Sequence, residues 1–296
     1  MENKTIYRSA AAEAQIRTLY WELLDRWPED HAEFDVETDY GSVHVLSSGP
    51  ADGPTVLLLH ASSMASTSWL PNVEALAAAG YRVHAIDYIG EAGQSRLEDP
   101  WSFPKTGTEI GSLYADIARK LGIETAAVVG ASAGGHTALR FALEAPEIVN
   151  RLALLGPMGV SPLGLRTLAE MMLVSVRPTD ARVARVCDWS IGTAPAVAGT
   201  FGEWFRAVLR SVATPPRVGR PVALKRDEMA RIAAPVLLVL GTCDNLVGDH
   251  RRAARRASAF TDVTVEVLDS AHLIGVERAD EVNDMLIRFL AAGSSH

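Results

Sequence analysis

The chain has 296 residues, 48% of them hydrophobic and 22% charged, with a formal net charge of −8. That length suits one large domain or two small ones and buries a core without disulfide staples. The acidic balance excludes nucleic acid or an anionic membrane as the main partner. Cys187 and Cys243 fit no metal or disulfide pattern, and no cofactor motif is read. Residues 1–5 lack the basic-then-apolar pattern of a signal peptide. No apolar run approaches the roughly 20 residues that span a bilayer. A cytoplasmic protein acting on a small molecule is expected, with a homodimer left open. Ile16, Leu19, Tyr20, Leu23, Leu24 and Trp27 recur at helical spacing until Pro28, predicting a helix over about 9–27 packed on the body of the chain. Residues 33–39 and 42–47 alternate around Tyr40-Gly41 and predict a hairpin.

Residues 55–60 form a continuous apolar run, as a strand buried on both faces of a parallel sheet requires. The run ends in His60-Ala61-Ser62-Ser63, with Trp69 beyond. His60 is expected to be a buried, backbone-bonded histidine rather than a base. A further strand over 81–86 leads into the glycine-rich stretch from Asp87 to Ser95, which is expected to be a structural turn rather than a phosphate cradle. A helix over 109–121 ends at Gly122, and the apolar run Ala127-Val128-Val129 follows.

That run enters Gly130-Ala131-Ser132-Ala133-Gly134, and a helical pattern (Thr137, Ala138, Leu139, Phe141, Ala142, Leu143) begins at once. A strand-to-helix turn this tight strains the central residue, so the residues two places either side must be small. The turn lifts the Ser132 hydroxyl out of the sheet. It also puts the Ala133 N–H at a helix N-terminus, where a developing oxyanion is favoured. After a strand over 151–155, strand–helix alternation stops. Residues 156–231 predict several helices broken by Pro162, Pro178, Pro195, Pro215, Pro216 and Pro221, and they concentrate Met158, Met171, Met172, Trp189, Phe201, Trp204 and Phe205. A buried strand over 235–240 then leads to Asp244, whose Gly-x-x-Asp setting fits a turn or helix-cap residue as well as a catalytic one. Arg251, Arg252, Arg255 and Arg256 are expected to form a solvated helix face. A last strand over 263–268 precedes His272 and an amphipathic helix to about 292.

These features resemble the α/β-hydrolase superfamily, in its serine-nucleophile, carboxylesterase-like branch. The turn around Ser132 and the final histidine segment carry the likeness most specifically. The resemblance implies an α/β fold: a mostly parallel central sheet with helices on both faces, a core of residues 1–155 and 232–296, and an inserted helical cap of 156–231. It implies Ser132 as nucleophile, Asp244 as triad acid, His272 as base, and the N–H groups of Ala133 and Ser62 as oxyanion donors. Ala61 stands where the family commonly carries glycine. Trp69, Met158, Met172 and Trp204 are expected around the substrate. The implied reaction is hydrolysis of a small to medium, fairly apolar ester or lactone, without metal or cofactor. A triad-based lyase or C–C hydrolase is the alternative on the same fold, and a catalytically silent binding protein is a third.

Overall fold

The apolar runs become the centre of a sheet because a parallel strand covered on both faces leaves no position for alternating polar residues. A computed structural model describes residues 6–28, 30–99, 103–192, 199–212 and 222–292. The first half holds α1 (Ala10–Leu24), β1 (Ala32–Thr38), β2 (Gly41–Ser48), β3 (Thr55–Leu59), α2 (Leu70–Ala78), β4 (Arg82–Ile86), β5 (Arg96–Leu97), α3 (Gly107–Lys120) and β6 (Ala126–Ala131). There follow α4 (Ala133–Glu144), β7 (Val149–Leu155), α5 (Leu165–Val176), α6 (Asp180–Ile191), α7 (Thr200–Ser211) and α8 (Arg226–Ala230). The chain then runs through β8 (Val236–Gly241), α9 (His250–Ala257), β9 (Val263–Leu268), α10 (Ile274–Glu277) and α11 (Ala279–Ala291).

Among the described residues nine strands form one sheet in the order β1-β2-β4-β3-β6-β7-β8-β9, with β5 beside β2. Pairing is antiparallel at the β1–β2 hairpin and its neighbours, and parallel from β4 through β9. Side chains along β3 alternate between two apolar clusters, one on each face of the sheet. Val56 and Leu58 join α1, α2, α7 and α11 on one side, while Leu57 and Leu59 join α3, α4 and α9 on the other. The chain proceeds from β3 to β4 on one side and returns to β6 on the other. The ends of β3 and β6, paired Leu59 to Gly130, therefore lie together at the switch in strand order, where ligands of open α/β sheets bind.

Three local expectations change. The first helix ends at Leu24, and Trp27 beyond it is buried through an indole N–H bond to the Ser48 hydroxyl at 2.9 Å. That helix also packs along α7, where the Arg8 N–H reaches the Ser211 carbonyl at 2.8 Å. The closing helix is broken at Arg278 into α10 and α11. Arg256 does not join Arg251, Arg252 and Arg255 on the exposed face; its guanidinium donates to the carbonyls of Val160 and Leu224 at 2.7 Å each and clamps that segment. Between β7 and β8 lie α5 to α8. Pro162 precedes α5 and Pro178 separates α5 from α6, whereas Pro195, Pro215, Pro216 and Pro221 fall outside the described residues. No helix among the described residues is long and apolar enough to cross a membrane.

Candidate active site

Ser132 joins β6 to α4 with φ 53° and ψ −115°, a conformation that a side chain rarely adopts, and is 3% exposed. The small neighbours are sterically required. A β-carbon on Gly130 would sit 2.4 Å from the Gly134 carbonyl oxygen, and one on Gly134 would sit 2.1 Å from that of Leu59. The Ser132 N–H donates to the Leu155 carbonyl at 3.0 Å, and its own carbonyl accepts from the Met158 N–H at 2.9 Å, so β7 and the chain after it fix the turn.

Asp244 and His272 follow β8 and β9. The Asp244 Oδ1 accepts the N–H groups of Leu246 and Val247 at 2.8 and 2.9 Å, while Oδ2 lies 2.8 Å from His272 Nδ1. The aspartate is thus a turn residue and a histidine partner at once. With Nδ1–H donating to the carboxylate, the neutral ring keeps Nε2 as an acceptor. His272 is 3% exposed. Glu277 holds its loop by accepting from the Ala271 N–H at 2.6 Å and the Ser270 hydroxyl at 2.7 Å. Gly156, at φ +50°, leaves the necessary space: a β-carbon there would lie 3.0 Å from the His272 carbonyl and 3.3 Å from Asp244 Oδ2.

Ser132 and His272 line one cavity of about 30 Å³, without a hydrogen bond between them in this structure, roofed by Met158, Met171, Phe205 and Leu209. Of the four expected pocket residues, Met158 lines it. Met172 is instead 56% exposed, because its neighbour Met171 takes the inward phase of α5. Trp204 is fully buried among the apolar side chains of α1 and α7, and Phe205 faces the cavity in its place. Trp69 borders an adjoining crevice with Ala61, Asn72 and Leu273. A larger open cleft of about 400 Å³ beside Arg166, Trp189 and His250 touches Asp244 from outside but is lined by neither Ser132 nor His272.

Ser62 and Ala133 meet at a second cavity of about 70 Å³, shared with Tyr88, Glu91, Phe103 and His136. Among the described residues neither the Ser62 nor the Ala133 N–H has a hydrogen-bond partner. His60 is buried and held as expected: Nδ1 donates to the Ala61 carbonyl at 2.8 Å and Nε2 accepts the Tyr88 N–H at 3.0 Å, with burial lowering its pKa. The stretch from Asp87 is a structural turn, in which the Asp87 carboxylate accepts the Ser66 and Gln94 N–H groups at 2.6 and 2.7 Å. Glu91, which no sequence motif singles out, is buried beside Ser62, and burial pushes its carboxyl up to about 7. No group of three or more His, Cys, Asp or Glu side chains among the described residues is arranged to hold a metal ion.

A parallel sheet with a strained serine turn at its switch point and an Asp–His pair past its last two strands defines the α/β-hydrolase class. The sequence matches the Alpha/beta hydrolase family over residues 56–285, and the chain belongs to it. It is 29% identical to carboxylesterase YbfK of Bacillus subtilis over 96% of this chain and 97% of that protein. The crystal structure of that protein superposes with a TM-score of 0.87 at 26% identity, over 96% of this chain and all of the other. Naproxen esterase (carboxylesterase NP) of the same organism superposes with a TM-score of 0.86 at 27% identity, over 96% of this chain and 99% of the other. The chain is a hydrolase of this family.

Proposed function

We propose that this hydrolase cleaves a small to medium, fairly apolar carboxylic ester or lactone through an acyl-enzyme on Ser132. The observation that carries the reading is the convergence of the strained Ser132 turn and the Asp244–His272 pair on one apolar cavity. A serine hydroxyl is a weak nucleophile at neutral pH and needs a base beside it. His272 Nε2 takes the Ser132 proton as the oxygen attacks the ester carbonyl. Asp244 holds the ring in the correct tautomer and stabilises the imidazolium. The oxyanion is received by the Ala133 and Ser62 N–H groups, which have no hydrogen-bond partner among the described residues. His272 returns the proton to the leaving alcohol, then activates a water that releases the acid. The names of the esterase relatives support an ester as substrate.

Residues 156–231 act in this reading as the cap over the substrate. A cavity of about 30 Å³ holds about two water molecules, so the substrate's apolar arm displaces side chains of α5 and α7. Met171→Ala is expected to shift the preferred acyl chain length of a p-nitrophenyl ester series upward while leaving Tm nearly unchanged. Trp204→Ala should instead destabilise by about 3–5 kcal/mol and lower activity on all chain lengths alike. An unchanged chain-length ranking in Met171→Ala removes that residue from the substrate contact.

Labelling with a fluorophosphonate probe tests the nucleophile, with Ser132 expected as the modified residue; modification of Ser62 or Ser63 overturns the assignment. Turnover in ¹⁸O-water then separates hydrolysis from elimination, since the acyl-enzyme route puts label into the acid product. An unsaturated, unlabelled product would move the enzyme to the lyases.

A further inference from the structure

We propose that Glu91 is a positioning residue for the reaction, its two carboxyl oxygens holding the turn Ala61-Ser62-Ser63 so that the Ser62 N–H is presented to the oxyanion. The proposal rests on the serine-hydrolase reading above. The turn follows β3 with alanine at position 61, and Ser63 adopts φ +61°, which a non-glycine residue keeps only when its surroundings impose it. Glu91 supplies that restraint from a separate part of the chain. Its Oε1 accepts the Ser62 hydroxyl at 2.9 Å and its Oε2 accepts the Ser63 N–H at 3.1 Å. The Met64 N–H goes to the Ala61 carbonyl at 3.1 Å and the Ser66 N–H to Asp87 at 2.6 Å. Ser62 N–H is left without a partner among the described residues. A free donor on a turn whose neighbouring donors are tied down is what a preorganised oxyanion site requires.

The same carboxyl brings a charge to this site. Around Glu91 stand Asp87 and Tyr88 of its own turn, His60 after β3, Tyr114 on α3, His136 on α4 across the shared cavity, and Tyr7 from the N-terminal segment. Arg17 of α1 reaches the turn through Gln94 at 3.1 Å. The three tyrosines are pushed above their ordinary range, while burial lowers His60 and takes His136 down to about 4. With its carboxyl pushed up to about 7, Glu91 is neutral below that pH and anionic above it. An anion bonded to the oxyanion turn opposes the negative charge that develops on the substrate oxygen.

Glutamine at this position separates the two effects. Its amide oxygen can accept the Ser63 N–H and its NH₂ can donate to the Ser62 hydroxyl, so both contacts survive without charge. The experiment measures kcat and KM on p-nitrophenyl butyrate from pH 6 to 9, with Tm and fluorophosphonate labelling of each variant. Glu91→Ala is expected to lower kcat about ten- to hundredfold with KM within threefold. Glu91→Gln should match wild type at pH 6 and exceed it by about three- to tenfold at pH 9. Should Glu91→Ala fail to fold, Glu91→Asp, one methylene short of both partners, must show the same kcat-selective loss. Wild-type kcat in folded Glu91→Ala or Glu91→Asp overturns the positioning role, as does a Glu91→Gln loss equal to that of alanine. A Glu91→Gln to wild-type ratio that stays flat across pH 7 overturns the charge effect. Absence of Ser132 labelling in the wild-type enzyme would instead count against the serine-hydrolase reading itself, which keeps the two failures apart.

Discussion

Ser132→Ala should lower kcat on a chromogenic ester by about 10⁴- to 10⁶-fold, with KM within a few fold and the fold intact. The size follows from what is removed. On the proposed mechanism no acyl-enzyme forms without the hydroxyl, and the residual rate comes from the oxyanion donors acting on a water. The strained backbone at φ 53° supplies a control that separates chemistry from structure. Alanine bears a β-carbon and inherits the strain, so its Tm should stay near wild type. Ser132→Gly removes the β-carbon and should stabilise the protein by about 1–3 kcal/mol while being equally inactive. Activity above about 1% of wild type in Ser132→Ala, on protein free of wild-type contamination, would remove Ser132 as nucleophile. A Tm in Ser132→Gly no higher than in Ser132→Ala would mean the turn stores no strain.

What the sequence made legible divides along a physical line. The turn around Ser132 was readable because its constraints are local: Gly130 and Gly134 are small for contacts within ten residues or to the adjoining strand end. The sheet was readable because buried parallel strands are unbroken apolar runs, as 56–59, 126–131 and 236–241 are. The rest depends on long-range phase or distance. A helix turns about 100° per residue, so choosing Met171 over Met172, or Phe205 over Trp204, needs the direction of the cavity, which periodicity does not contain. Glu91 sits in a glycine-rich turn and acquires its meaning from Ser62 and Ser63, nearly thirty positions earlier. Arg256 shares the composition of its arginine neighbours, and only the fold sets it against the carbonyls of Val160 and Leu224. Asp244 could not be separated from a turn residue because it is one.

That double duty fixes the outcome of Asp244→Asn, expected to lower kcat by about 10⁴-fold with little change in Tm. One face of the side chain meets two donors, the N–H groups of Leu246 and Val247, and the other meets His272 Nδ1. Asparagine has one oxygen and one NH₂ to share between them. Turning NH₂ toward the backbone would oppose donor to donors and leave a buried and a half-buried N–H group unsatisfied, at about 1–3 kcal/mol each. The oxygen therefore stays on the backbone and the NH₂ faces His272. That forces Nδ1 to accept, moves the ring proton to Nε2, and, on the proposed mechanism, deprives Ser132 of its base. Asp244→Ala loses the turn as well as the pairing, so it should match the kinetic loss and add a fall in Tm corresponding to about 2–4 kcal/mol. Equal stability losses in the two variants would mean the turn bonds are not what orients the asparagine. Near-wild-type kcat in Asp244→Asn would show that another carboxylate serves His272.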